Sequence, residues 1–221
     1  MPDGGRLERP AAGDALLTLP NAITFARLCA VPVAVWLVLQ HRLSQAFVLF
    51  ALAGISDAVD GWLARRRGGT ALGALLDPLA DKVLLVSMYV TLAAVGELPD
   101  WLAILVVFRD AVIVGGVVLL GVLGLPVAIR PIFVSKLNTV LQIVLVGVTL
   151  MVAGFGLGLR GPPGDIAGHL WAGLWAEAWS GATGGPARFA VAVALTGLVW
   201  VVAASTLASG AAYVWRAARK S

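Results

Sequence analysis

Four aspartates, Asp57, Asp60, Asp77 and Asp81, lie within residues 57 to 81 in a setting that is otherwise mostly apolar. Residues three or four apart share a helix face, so Asp57, Asp60, Gly61 and Ala64 form one stripe and Gly73, Asp77 and Asp81 a second. Unpaired carboxylates this close repel one another and resist ionisation. Hard divalent cations such as Mg²⁺ or Mn²⁺ remove that conflict, because they prefer carboxylate oxygen and keep positions open for phosphate. Two of them balance four Asp charges. The chemistry expected is therefore metal-assisted work on a phosphate ester, with glycines on both stripes leaving room for a bulky ligand.

The stretch resembles the signature of the CDP-alcohol phosphatidyltransferases, Asp-x-x-Asp-Gly-x-x-Ala-Arg, a spacer, then Gly-x-x-x-Asp-x-x-x-Asp. Asp57, Asp60, Gly61, Ala64, Arg65, Gly73, Asp77 and Asp81 match it position by position. The spacer, Arg66 to Leu72, is one residue shorter than in many members. The resemblance implies an all-α membrane enzyme that binds CDP-diacylglycerol, uses two divalent cations, releases CMP and works as a homodimer. It also implies roles: Asp57, Asp60, Asp77 and Asp81 on metal, Asp81 also as the base for the acceptor hydroxyl, and Asp57, Gly61, Ala64, Arg65 and Gly73 around the nucleotide. Purely structural duties compete with these. Asp77 before Pro78 suits a helix N-cap, and Asp81 has Lys82 and Arg65 as local ion-pair partners.

The elements that must position these residues are helices in lipid. The 221-residue chain is 60% hydrophobic and 13% charged, with a mean hydropathy of +0.93. Apolar runs near residues 22–40, 45–64, 77–96, 101–124, 133–157 and 188–213 approach the roughly 20 residues that a spanning helix needs, which predicts a single domain over 1–221 with about six transmembrane helices. Residues 1–19, with Asp3, Arg6, Glu8, Arg9 and Asp14, lack the apolar core of a cleaved signal and read as a cytoplasmic segment. Under an even-helix topology Arg6, Arg9, Arg65 to Arg67, Arg130, Lys136, Arg216, Arg219 and Lys220 share one side, and Arg42, Arg160 and Arg188 the other. The positive-inside rule makes the first side cytoplasmic. Both stripes then open to the cytosol, in the cytoplasmic membrane of a bacterium.

Other polar residues sit at the same membrane level. Asn21, Thr24 and Arg27 are three apart at the start of the first run, which suits a shared phosphate or ribose contact; helix capping and snorkelling are the alternatives. The resemblance extends here, since its members often begin with Asn-x-x-Thr-x-x-Arg. Arg109 and Asp110 interrupt the fourth run, and Lys136 and Asn138 open the fifth. A local ion pair and membrane anchoring account for them structurally; an acceptor phosphate held by Arg109, Lys136 and Asn138 accounts for them functionally. Phe50 to Gly54, Leu76 to Lys82, Phe108 to Asp110 and Phe133 to Thr139 look like the CMP-forming cardiolipin synthase branch, which implies phosphatidylglycerol as acceptor. The phosphatidylglycerophosphate synthase branch, with glycerol 3-phosphate as acceptor, is similar through the Asp motif, but Arg-Glu is expected there in place of Arg109-Asp110.

The remaining features are general. Net charge is +4, but the cations sit at helix ends, which suits an anionic membrane and phosphate-bearing substrates and excludes a nucleic-acid-binding domain. Cys29 is the sole cysteine, so neither an internal disulfide nor a cysteine metal site is available. Trp171, Trp175 and Trp179 at helical spacing make 160–187 an interfacial loop and helix. Gly115, Gly116, Gly121, Gly124, Gly154, Gly156 and Gly158 permit close helix contact. A cation transporter also places carboxylates in about six helices, but it has no use for Gly61, Gly73 and Arg65 at their positions.

Overall fold

The computed structural model describes residues 19–67, 71–122, 133–156 and 186–218. These form six helices and, among the described residues, no strand: α1 Leu19–Leu39, α2 Leu43–Arg67, α3 Ala71–Ala94, α4 Asp100–Val122, α5 Phe133–Phe155 and α6 Pro186–Ala218. Each expected apolar run falls largely on one helix. Two boundaries differ from expectation in a way that matters. Arg65, Arg66 and Arg67 continue α2 rather than breaking it, and α3 begins at Ala71, so Asp77 and Pro78 are interior and the N-cap alternative for Asp77 does not hold. The segments 1–18 and 157–185, which include most of the expected tryptophan-rich element, lie outside the described residues.

The helices close a ring. α1 packs against α2 and α3, α2 against α5, α5 against α6, α6 against α4 and α4 against α3, with α3 also touching α5 across the middle. α3 supplies much of the core through Leu84, Leu85, Met88, Tyr89 and Leu92, a stripe at helical spacing, and Leu145, Val146 and Leu150 of α5 meet it. Large apolar side chains also cover the outside: Phe25 and Trp36 of α1, Ile104 and Phe108 of α4, Val140 of α5, and Trp200 and Leu207 of α6 are exposed. Buried inside instead are Thr24, Arg27, Arg109, Asp110, Asn138, Gln142, Thr206 and Ser209. Apolar outside and polar inside is the arrangement expected of a bundle solvated by lipid. Two stretches are long and apolar enough to cross a membrane, Ser135–Phe155 in α5 and Phe189–Tyr213 in α6. α1 and α2 carry shorter apolar stretches, Thr24–Leu39 and Leu43–Asp57, so among the described residues the length and hydropathy of a span belong to two of the six helices.

Two tight turns mark one end of the ring. After α1, His41 takes a left-handed conformation (φ 54°), and after α3, Gly96 does (φ 77°). In each, the next residue's N–H reaches back to a helix carbonyl, Arg42 to Leu37 and Glu97 to Leu92, satisfying groups that the helix end would otherwise leave open. At this turn end α5 lies against the backbone of α2. A Cβ on Gly154 would lie 2.5 Å from the backbone N of Ser44 and 2.7 Å from the backbone C of Leu43, so only glycine fits. The motif lies toward the opposite end, where α2 finishes and α3 starts.

Candidate active site

α1 supplies the centre of the site. Arg27, 4% exposed, donates from one nitrogen, Nη1, to Oδ1 of Asp57 on α2 at 2.8 Å and to Oδ1 of Asp81 on α3 at 2.6 Å. The first and last aspartates of the motif therefore converge on a single cationic atom, although α2 and α3 are not neighbours in the ring. Both carboxylates stay accessible, with side chains 42% and 46% exposed. Thr24, one turn before Arg27, is buried. Of the local partners the sequence suggested for Asp81, Lys82 pairs instead with Asp110, and the side chain of Arg65 lies outside the described residues.

The remaining motif residues are placed by the helix backbones. Asp60, Gly61, Ala64 and Arg65 continue α2 beyond Asp57, and Gly73 and Asp77 precede Asp81 on α3. Because α2 ends and α3 begins at the same end of the ring, positions 60 and 77 each lie about one turn nearer that end than their partners. Their side chains, and that of Asn21 in the first turn of α1, lie outside the described residues.

A second cluster begins at the next residue of α3. Lys82 Nζ is 2.6 Å from Oδ2 of Asp110 on α4. The other oxygen of Asp110 accepts from Arg109 Nη1, while Arg109 Nη2 donates to Ser135 Oγ of α5 and Ser209 Oγ of α6. Arg109 is 5% exposed. With both terminal nitrogens engaged and little surface, Arg109 braces three helices. The ion pair with Asp110 is the structural alternative, and it is present.

Asn138 is likewise an internal group. Fully buried, it accepts at Oδ1 from Ser205 Oγ (2.6 Å) and Thr206 Oγ1 (3.0 Å) across the α5–α6 contact. Its Nδ2 has no hydrogen-bond partner among the described residues. Lys136, one residue after Ser135, is exposed. The sequence reading missed Ser205, Thr206 and Ser209, although their spacing is a polar stripe on an otherwise apolar helix, and it passed over Lys82 as a site residue although it follows Asp81 directly.

For a divalent cation the donor chemistry is suitable. Among the described residues no group of three or more potential ligands stands together, but Asp57 and Asp81 present hard oxygen donors, half accessible, around a point where the protein already places positive charge. Arg27 already holds that point, so a divalent cation would have to share the two carboxylates with the guanidinium or take its place.

The described residues form an all-helical bundle with Asp57 and Asp81 gathered on Arg27, and the chain belongs to the CDP-alcohol phosphatidyltransferase family of enzymes, whose model matches residues 17–216. It is 33% identical over 150 residues to the CMP-forming cardiolipin synthase of Rattus norvegicus, covering 60% of this chain and 50% of that protein. It is 38% identical over 117 residues to the CMP-forming cardiolipin synthase of Streptomyces coelicolor, covering 50% of this chain and 53% of that one. It is also 35% identical over 158 residues to the chloroplastic CDP-diacylglycerol–glycerol-3-phosphate 3-phosphatidyltransferase 1 of Oryza sativa, covering 63% of this chain and 48% of that one. The matches thus span about half the length of these curated relatives.

Proposed function

We propose that the protein transfers the phosphatidyl group of CDP-diacylglycerol to phosphatidylglycerol, giving cardiolipin and CMP. The observation that carries the reading is the convergence of Asp57 and Asp81 on Arg27 within a family-wide motif. The acceptor choice is supported by the cardiolipin synthase names among the relatives and by Arg109-Asp110 in place of Arg-Glu.

In this reading the acceptor hydroxyl oxygen attacks the phosphorus that carries the diacylglycerol. A new P–O bond forms, the bond from that phosphorus to the bridging oxygen breaks, and CMP departs with the bridging oxygen and its electron pair. Asp81 orients the hydroxyl and takes its proton. Asp57, Asp60, Asp77 and Asp81 would hold two divalent cations, Mg²⁺ or Mn²⁺, which when bound neutralise the diphosphate and the charge that develops on it. Arg27 keeps the first and last carboxylates gathered, and Asn21, Thr24, Gly61, Ala64, Arg65 and Gly73 line the nucleotide side. Lys136 is the exposed cation at the start of α5 for the anionic acceptor or the membrane surface. The protein sits as a multi-pass homodimer in a bacterial cytoplasmic membrane, with the site facing the cytoplasm and no nucleic-acid partner.

The rice relative favours a second reading, transfer to glycerol 3-phosphate. Purified protein in detergent, given CDP-diacylglycerol, divalent metal and each acceptor in turn, separates the two by the mass of the lipid product. Cardiolipin from phosphatidylglycerol is expected. Phosphatidylglycerophosphate from glycerol 3-phosphate, with phosphatidylglycerol ignored, moves the chain to the other branch.

A further inference from the structure

Two ionic triads of opposite sign meet at consecutive residues of α3. In one, Arg27 lies between Asp57 and Asp81, three residues whose own charges sum to one negative. In the other, Asp110 lies between Lys82 and Arg109, leaving one excess positive charge. Neighbouring Cα atoms are about 3.8 Å apart and successive side chains turn by about 100° around a helix, so Asp81 serves α1 while Lys82 serves α4.

We propose that Lys82 binds the phosphate of the acceptor alcohol, with Asp110 and Arg109 as positioning residues that fix its ammonium beside Asp81. The inference rests on the phosphatidyl-transfer reading above. Within the cationic triad only Lys82 is accessible, its side chain 42% exposed against 9% for Asp110 and 5% for Arg109. One bond to Asp110 leaves an ammonium two further donors. Asp110 is shared between two cations, the serines on Arg109 bring no charge, and the buried Nε of Arg109 has no acceptor among the described residues. An anion reaching Lys82 therefore meets positive charge that no described residue neutralises.

The sign pattern also sorts the two substrates. The nucleotide diphosphate belongs with cations on the acidic triad, whereas a second phosphate beside it would be repelled unless it had a cation of its own. A glycerol phosphate ester with a free hydroxyl suits adjacent positions: phosphate on Lys82, hydroxyl on Asp81. Phosphatidylglycerol and glycerol 3-phosphate share that chemistry, one as a phosphodiester and the other as a monoester.

The test uses the purified full chain with CDP-diacylglycerol, magnesium and whichever of the two acceptors the unaltered protein accepts. Losing a charge-assisted hydrogen bond corresponds to about ten- to hundredfold in binding. Lys82→Gln is expected to raise the KM for acceptor by about that factor while the KM for CDP-diacylglycerol stays within about twofold. Lys82→Arg should lie nearer the unaltered protein than Lys82→Gln does. Asp110→Asn should raise the acceptor KM selectively by about fivefold, and should add little in the Lys82→Gln background, because both changes act on one contact. If Lys82→Gln does not fold, the selective effect of Asp110→Asn decides alone. An unchanged acceptor KM, parallel rises in both KM values, full additivity of the two changes, or turnover only with a phosphate-free alcohol overturns the inference. Absence of any phosphatidyl transfer by the unaltered protein overturns the functional reading instead.

Discussion

Replacing Arg27 by methionine removes the positive charge between Asp57 and Asp81 while keeping an unbranched apolar side chain in the buried position. A unit ion pair at 2.8 Å is worth about 6 kcal/mol at an effective dielectric near 20. Both carboxylates are close to half exposed, so solvent screening brings each contact down to about 1 kcal/mol. Relief of the buried guanidinium's desolvation offsets part of the loss, and repulsion between the two uncovered carboxylates adds to it. The net expectation is destabilisation by roughly 2 kcal/mol in chelator, a midpoint lower by about 4 to 8 °C for a domain of this size. Thermal unfolding in detergent measures it. Magnesium at millimolar concentration should narrow the gap, because a cation bound between the same carboxylates stabilises the variant more than the original. Equal midpoints in chelator, or a gap that magnesium leaves unchanged, refutes the idea that Arg27 neutralises the pair.

Asp57→Asn, Asp60→Asn, Asp77→Asn and Asp81→Asn should each lower phosphatidyl transfer by about two orders of magnitude while the protein still elutes as a folded species; near-normal turnover at position 60 or 77 contradicts a four-carboxylate site. Gly154→Ala should destabilise by about 1 to 3 kcal/mol because its Cβ meets the backbone of Ser44, whereas Gly54→Ala, with open space around it, should change the midpoint little in the same unfolding assay. With Cys29 replaced by serine, cysteines at His41 and Lys136 should react with a membrane-impermeant reagent from opposite sides; labelling of both from one side contradicts the proposed orientation.

The six helices were legible because apolar runs of near-spanning length are a coarse signal that survives local detail. Their limits were less so around the motif. The third apolar run reads as 77–96, with Asp77 before Pro78 suited to an N-cap, yet α3 starts at Ala71 and runs through both, packed on α1. The four aspartates announced themselves by spacing, but the bond from Asp57 to Asp81 through Arg27 did not. It depends on ring order, which sets α1 against both α2 and α3, and no spacing within the motif carries that information. Arg109 shows the other limit: a charged residue in an apolar run signals a role, but whether it meets ligand or protein depends on partners 26 and 100 residues away.

The contact at Gly154 works on the site from a distance. Ser44, against which Gly154 closes, precedes Asp57 by thirteen residues of continuous helix, roughly 20 Å along α2. α2 is thus a lever with its fulcrum at the turn end and a carboxylate toward its tip. A tilt of one degree about that point carries Asp57 sideways by roughly 0.3 Å on the same helix geometry, comparable with the tolerance of a metal–oxygen bond. The position of Asp57 is tied, through one continuous helix, to a backbone contact at the opposite end of the bundle.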